Sequence, residues 1–190
     1  VKRFLALTLA LAATASLAAC SSANNNTNSS VANSSISAEQ KQSITITSLN
    51  ANKEEVKVEV PYDAQRIAIL DMPSLDILDK LSLGDRVVGT ADTSIEYLTE
   101  YVDTTENLGT IKEADLEAIM SVEPDVIFIG GRLAESYDAL SEIAPVVYLS
   151  TDTELGVVES VRKNATTIAS IIGKESEVET LMADFDDRIA

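Results

Sequence analysis

The sequence lacks most of the side chains on which enzyme active sites and metal sites depend. Its 190 residues include no histidine, no tryptophan and a single cysteine, and they contain neither a Gly-x-Ser-x-Gly elbow nor a Gly-x-x-x-x-Gly-Lys loop. The residues and motifs that form the common nucleophilic, zinc and nucleotide sites are therefore missing from the sequence. Acidic groups such as Asp184, Asp186 and Asp187 are more often a solvated helix face than a general acid and base. We expect no enzyme activity, no cofactor and no bound metal.

Positive charge is also scarce. Only 14 lysine and arginine residues stand against 31 aspartate and glutamate residues, which gives a formal net charge of -17 and a pI near 4.2. This balance argues against nucleic acid or an anionic membrane surface as a partner. An anionic ligand would need a local basic pocket.

The N-terminus has the pattern of a secretory signal. Lys2 and Arg3 precede an apolar segment that ends Leu-Ala-Ala immediately before Cys20, which predicts a signal peptide over residues 1–19. The segment is too short for a comfortable membrane span. A lone cysteine cannot form an intramolecular disulfide. The site resembles a bacterial lipobox, which implies that Cys20 becomes the lipidated first residue of the mature protein. The alternative is a buried cysteine.

The stretch that follows the cysteine is rich in serine, asparagine, alanine and threonine, with almost no large apolar residue. Such a segment buries too little surface to offset the entropy of ordering it. We therefore predict that residues 20–43 form a disordered tether that begins at the lipidated cysteine. A glycosylated or adhesive stalk is the weaker alternative.

The rest of the chain predicts an α/β fold. Two alternating segments, Ile44 to Leu49 and Glu55 to Val60, predict a β-hairpin. Strand and helix patterns then alternate, which predicts a mainly parallel sheet with helices on both faces. The predicted strands are 66–70, 86–90, 125–129 and 146–149, and the predicted helices are 74–81, 94–101, 115–122 and 134–143.

Two long helical patterns, Val157 to Ile172 and Val178 to Ile189, close the chain on either side of Gly173. We assign residues 44–155 to one α/β lobe and residues 156–190 to a helical segment that follows it.

The stretch from Asn107 to Arg132 organises the rest of the sequence. Asp115 is a candidate cap for a short helix, which Pro124 cannot continue. The apolar run Val-Ile-Phe-Ile then predicts a strand covered on both faces, and Gly-Gly-Arg follows it. Ligands of open α/β sheets gather beyond the carboxyl ends of the strands, so Arg132 is a candidate ligand contact. The alternative is an ordinary solvated arginine.

Several motifs carry a family resemblance. Arg-Ile-Ala-Ile-Leu-Asp, Leu-Gly-Asp-Arg-Val-Val-Gly-Thr, Asn-Leu-Gly-Thr, Asp-Leu-Glu-Ala-Ile, Glu-Pro-Asp-Val-Ile-Phe-Ile-Gly-Gly-Arg and Glu-Ile-Ala-Pro-Val-Val-Tyr-Leu occur in this order. From about Val56 to Ala190 the chain resembles the periplasmic-binding fold of ABC-transporter proteins for ferric siderophores, haem-type ligands and cobalamin, and it is most similar to the iron-catecholate branch. The resemblance implies the first lobe of a two-lobed, helix-linked binder. Residues 156–190 would join the lobes, and the second lobe is absent from the 190 residues.

The resemblance implies a function. The chain would be a lipid-anchored solute-binding protein on the cell membrane, facing the periplasm or the cell exterior. It would capture a ferric siderophore, with the catecholate type favoured, and deliver it to an ABC permease for iron uptake, with iron present only as part of the ligand. The alternatives are a haem or cobalamin binder of the same fold, or a surface lipoprotein with a structural or adhesive role.

The resemblance also implies roles for individual residues. Arg132 occupies the position of an arginine that contacts the ferric complex together with two arginines of the second lobe. Met72, Thr110 and Lys112 occupy neighbouring strand-end or loop positions and are weaker pocket-lining candidates. Glu117 matches a surface glutamate that pairs with permease arginines, and the alternative is a helix-surface glutamate of no consequence.

Overall fold

The structure of the protein is a computed structural model that describes residues 42–189. The predicted signal peptide, Cys20 and the predicted tether as far as residue 41 lie outside the described residues, so these predictions stay predictions. Within residues 42–189, none of the helices combines the length and the apolar character that a membrane crossing requires.

The predicted hairpin is present. Strands β1 (Ser43–Leu49) and β2 (Glu55–Pro61) pair antiparallel as a separate two-stranded sheet. Between them, the side-chain oxygen of Asn50 accepts hydrogen bonds from the backbone N–H groups of Asn52 and Glu54, at 2.9 and 3.0 Å. This use of an asparagine side chain to close a turn explains why the strands reverse here.

The main sheet has five parallel strands in the order β5-β4-β3-β6-β7. This arrangement confirms the predicted α/β class. The strands are β3 (Ile67–Leu70), β4 (Val87–Thr90), β5 (Glu106–Asn107), β6 (Val126–Ile129) and β7 (Val146–Tyr148). The edge strand β5 was not predicted, because its two exposed residues, glutamate and asparagine, are poor strand formers and only their pairing with β4 makes them a strand.

Helices cover both faces of this sheet. They are α1 (Met72–Lys80), α2 (Thr99–Thr104), α3 (Leu116–Ser121), α4 (Tyr137–Ser141), α5 (Val157–Ile172) and α6 (Glu175–Ile189). The predicted cap of α3 is confirmed, because the Asp115 carboxylate accepts the N–H of Ala118 at 3.0 Å.

Two predicted helix starts are wrong. The segment predicted as a helix over 94–101 is a 3₁₀ turn, Glu96–Leu98, followed by α2, since the Thr93 hydroxyl accepts the Ile95 N–H and holds a turn there. The segment predicted over 134–143 begins as a 3₁₀ helix, Gly131–Ser136, because the chain leaves β6 through a tight i→i−3 bond from Leu133 to Gly130.

The strands divide the core by their period of two. In β3, Ile67 and Ile69 face one cluster of buried side chains while Ala68 and Leu70 face the other. Helices α1, α5 and α6 cover the first cluster, and α3 and α4 cover the second. All four residues of β3 and of β6 are buried, as expected for parallel strands covered on both faces.

Helix α5 shares this core. Ala165, Ile168 and Ile172 lie in the same buried cluster as Ile67 and Ile69, whereas Val157 at the first turn is 66% exposed. The assignment of residues 156–190 to a segment between two lobes stays a prediction. The packing shows that α5 shares one hydrophobic core with the main sheet.

The register of the sheet determines which strand ends lie side by side at each of its two edges. At the amino edge, the Asp125 carboxylate accepts the N–H groups of Gln65 and Arg66, both at 3.0 Å. At the carboxyl edge, Leu70 pairs with Ile129 and Ile129 pairs with Tyr148. Three neighbouring strands therefore end level with one another, and the loops that follow them meet at one edge.

Candidate functional site

A cleft of about 320 Å³ lies at this carboxyl edge. It is lined by Lys53 of the hairpin, residues 70–73 at the end of β3 and just beyond it, Ile111, and residues 130–132 after β6. Two of the predicted pocket residues, Met72 and Arg132, are thus brought together in one wall although 60 positions separate them in the sequence. Their contact with a ligand stays a prediction.

Thr110 and Lys112 lie beside the cleft and do not line it. The residue between them, Ile111, does. The Thr110 hydroxyl accepts the backbone N–H groups of Lys112, at 3.2 Å, and of Glu113, at 3.0 Å, so it holds the turn that presents Ile111. The structure therefore places the loop where the sequence predicted it, with a different side chain in the wall.

Glu117 lies on the exposed surface of α3 and does not line the cleft. In the described part of the chain, its carboxylate has no hydrogen-bond or ion-pair partner. Two apolar side chains beside it are unusually accessible, with Leu116 38% and Met120 60% exposed. The surface around Glu117 is thus a carboxylate flanked by apolar groups.

The positive charges divide into two classes. Most of the described lysine and arginine side chains have a hydrogen-bond or ion-pair partner. For example, Arg86 pairs with Asp63 at 2.8 Å, and Arg162 pairs with Asp186 at 3.0 Å. Among residues 42–189, the side chains of Lys53, Lys112 and Arg132 have no hydrogen-bond or ion-pair partner. Two of these three line the cleft, and Lys112 follows Ile111, which does. The described part of this strongly acidic chain therefore leaves its unpaired cations at one edge of the sheet.

The floor of the cleft contains an acidic group that was not among the predicted site residues. Asp71 caps α1, because its carboxylate accepts the N–H of Ser74 at 3.1 Å and the Ser74 hydroxyl at 2.8 Å. Burial raises the pKa of Asp71, although the bonds from Ser74 act in the opposite direction. In the sequence, the signal for Asp71 is its position directly after the apolar strand β3.

The two glycines after β6 let the backbone approach this group. A Cβ atom on Gly130 would lie 2.4 Å from the Asp71 carboxylate oxygen, and one on Gly131 would lie 3.0 Å from the Tyr148 hydroxyl. Tyr148 is almost fully buried, and its pKa is raised by that burial and by the charge of Asp71. At both positions, any larger residue would force the Asp71 or Tyr148 side chain to move.

Two other recesses adjoin these elements. One of about 430 Å³ lies between the hairpin and the end of β7 and shares Lys53 with the first cleft. Its lining is rich in hydroxyl groups and also includes the carboxylates of Glu55, Asp152 and Glu154. The other, of about 350 Å³, is an apolar groove between α1, α5 and α6 that includes Ile77, Val161 and Phe185. In the part of the chain that the structure describes, no group of three or more metal-ligating side chains is arranged around a common point.

The chain is similar to proteins that bind iron complexes. A model of the periplasmic binding protein family matches residues 67–190. The petrobactin-binding protein YclQ of Bacillus subtilis is 37% identical over 134 residues, which cover 70% of this chain and 42% of that protein. The ferric-anguibactin-binding protein FatB of Vibrio anguillarum is 26% identical over 131 residues, which cover 66% of this chain and 40% of that protein.

Solved structures agree with this result. The crystal structure of YclQ superposes with a TM-score of 0.70 at 35% identity, covering 77% of this chain and 51% of that one. The catecholate-siderophore binding protein VctP of Vibrio cholerae superposes with a TM-score of 0.65 at 28% identity, covering 76% and 51%. The chain thus spans about half the length of the relatives it matches.

Proposed function

We propose that this chain, which belongs to the family of periplasmic binding proteins, supplies one wall of a binding protein that captures a ferric siderophore and delivers it to an ABC permease for iron uptake. The observation that carries the proposal is the guanidinium of Arg132, which lies in the cleft at the carboxyl edge of the sheet and has no hydrogen-bond or ion-pair partner among residues 42–189. A catecholate siderophore is the favoured ligand.

The chemistry of the cleft suits such a complex. A ferric catecholate combines negatively charged oxygens with aromatic rings, so it needs both fixed positive charge and apolar surface. Arg132 offers a positively charged, forked set of hydrogen-bond donors. Leu70, Met72 and Ile111 supply the apolar part of the same wall. The names of the relatives, which refer to petrobactin, ferric anguibactin and a catecholate siderophore, support the same ligand class.

In this proposal the protein makes no covalent change to its ligand and needs no cofactor, and the iron is cargo. Cys20 would carry the lipid that holds the protein at the outer face of the cell membrane. Glu117 would dock on the permease, since it lies outside the cleft on an exposed helix.

The test uses Arg132→Ala and Arg132→Lys in the full product of the gene without its first 19 residues. Ferric petrobactin labelled with radioactive iron is measured by equilibrium dialysis. We expect Arg132→Ala to weaken binding by roughly 1 to 3 kcal/mol, and Arg132→Lys to restore only part of the loss because lysine keeps the charge but not the fork.

Arg162→Ala is the matched control, because it also removes a guanidinium, one whose partner Asp186 lies on the helical side of the molecule. Its affinity should equal that of the unmodified protein. Equal affinity of Arg132→Ala and the unmodified protein would show that the ligand lies elsewhere.

A further inference from the structure

The tip of the hairpin is anchored beside the cleft. Ser48, near the end of β1, is 3% exposed, and its hydroxyl oxygen accepts the backbone N–H of Tyr148 at 2.9 Å. Tyr148 is the last residue of β7. This bond brings the end of β1 level with the carboxyl edge of the main sheet, so the turn that follows projects beyond that edge.

The hydrogen bonds of the turn fix the backbone conformation at Lys53. Its backbone N–H donates to the Asn50 carbonyl at 2.9 Å, and the Asn50 side chain binds the N–H groups of Asn52 and Glu54 on either side of it. Lys53 has a φ of 63°, a left-handed conformation that glycine or asparagine adopts more readily than lysine. A lysine at this position is therefore not explained by the needs of the turn.

The acidic neighbours of Lys53 are engaged elsewhere. The Glu54 carboxylate accepts a bond from the Asn50 amide at 3.3 Å, and the Glu55 carboxylate pairs with Lys163 at 3.3 Å. Within the described residues, the Lys53 ammonium has no hydrogen-bond or ion-pair partner. It lines the cleft that contains Arg132 and also the neighbouring hydroxyl-rich recess.

We propose that Lys53 is a further ligand-binding cation of this site, which adds a second positive charge to the one on Arg132 and favours polyanionic ferric catecholates over less charged complexes. The inference rests on the proposed function and assigns a role to a hairpin that precedes the family match, which begins at residue 67. A charge at the rim of a site contributes mainly through attraction that salt screens.

The experiment compares Lys53→Gln, Lys53→Glu and Lys53→Gly in the full product of the gene without its first 19 residues. The probes are ferric petrobactin and ferric enterobactin, two anionic catecholates, each labelled with radioactive iron and measured by equilibrium dialysis over a range of salt concentrations. We expect Lys53→Gln to bind roughly 3- to 10-fold more weakly with a shallower dependence on salt, and Lys53→Glu to bind more weakly still.

Lys53→Gly separates the charge from the turn. Glycine suits the left-handed conformation, so this variant should unfold no more easily than the unmodified protein while it loses the same affinity as Lys53→Gln. Lys57→Gln is the control, since Lys57 lies on the same hairpin with its ammonium bound to the Thr47 hydroxyl, and it should stay within about twofold.

The outcomes distinguish this inference from the proposed function. If the unmodified protein binds neither ferric catecholate, the proposed function fails. If it binds one of them and Lys53→Gln matches it in affinity and in salt dependence, the role of Lys53 is refuted while the function stands.

Discussion

Replacing Gly130 by alanine tests the packing of the cleft floor. The added Cβ atom would lie 2.4 Å from a carboxylate oxygen of Asp71 and 3.3 Å from the carbon that carries it. Gly130 has a φ of -105°, a conformation open to any residue, so the substitution brings no backbone penalty. The effect of the variant therefore measures the contact with Asp71.

The magnitude follows from what Asp71 does. If the side chain moves away, α1 loses the cap that the carboxylate provides through Ser74, at a cost of roughly 0.5 to 2 kcal/mol. If it stays, the overpacked floor costs roughly 1 to 3 kcal/mol. We expect Gly130→Ala to lower the free energy of unfolding by about 2 kcal/mol, which corresponds to a fall in Tm of roughly 4 to 8 °C.

Urea unfolding followed by circular dichroism measures this change, with the midpoint expected to fall and the slope to stay constant. Asp71→Ser provides the control, because serine is also an N-cap residue and its shorter side chain leaves room for the methyl group. The double variant Gly130→Ala/Asp71→Ser should lose roughly 1 kcal/mol less than the sum of the single variants. A single variant as stable as the unmodified protein, or strictly additive losses, would refute the packing described here.

Three further results are expected. Glu117→Lys should impair siderophore-dependent iron uptake by cells and leave ligand binding intact, because Glu117 lies on exposed α3 outside the cleft. As the pH rises above 3.8, the free energy of unfolding of Asp71→Asn should increase relative to that of the unmodified protein. The reason is that burial raises the pKa of Asp71, so the folded state disfavours the ionised carboxylate, which asparagine lacks. Residues 20–190 alone should bind ferric catecholate weakly and exchange the amides at the end of α6 rapidly, since one wall cannot surround a ligand and Ile189 is 53% exposed.

Each of these has a contradicting result. Normal uptake by Glu117→Lys would remove the docking role. For Asp71, the folded state favours the protonated acid, so its contribution to stability is complete below the unfolded pKa and is lost as the pH rises through the folded pKa. Urea titrations at about pH 4 and pH 7 that give the same difference between Asp71→Asn and the unmodified protein would contradict this. Tight stoichiometric binding by residues 20–190 alone would overturn the two-lobe account.

The sequence predicts those features of the fold that local patterns determine. Alternation of apolar and polar residues marks the hairpin, a continuous apolar run marks β3, and Asp115 is a helix cap in the structure as its position before an apolar helical pattern indicates. The parallel class follows from the order of strands and helices. Of the cleft, the place of Arg132 follows from the rule that ligands gather at the carboxyl ends of strands.

The missed features depend on tertiary contacts. β5 is a strand only because β4 lies beside it, and Asp71 and Tyr148 meet the Gly-Gly turn only because β3, β6 and β7 end level. From the sequence alone, Lys53 cannot be distinguished from any other polar residue of a turn. Its place in the cleft depends on the bond between Ser48 and Tyr148, which are 100 positions apart.

The central claim is that a ferric catecholate binds in the cleft at the carboxyl edge of the sheet. The most direct test records amide resonances of the full gene product without its first 19 residues, with ferric petrobactin and with its diamagnetic gallium analogue. High-spin iron broadens nearby resonances and gallium does not. We predict selective broadening at residues 70–72 and 130–132 and at Lys53. Broadening confined to the apolar groove around Phe185, or no difference between the two metals, would contradict the account.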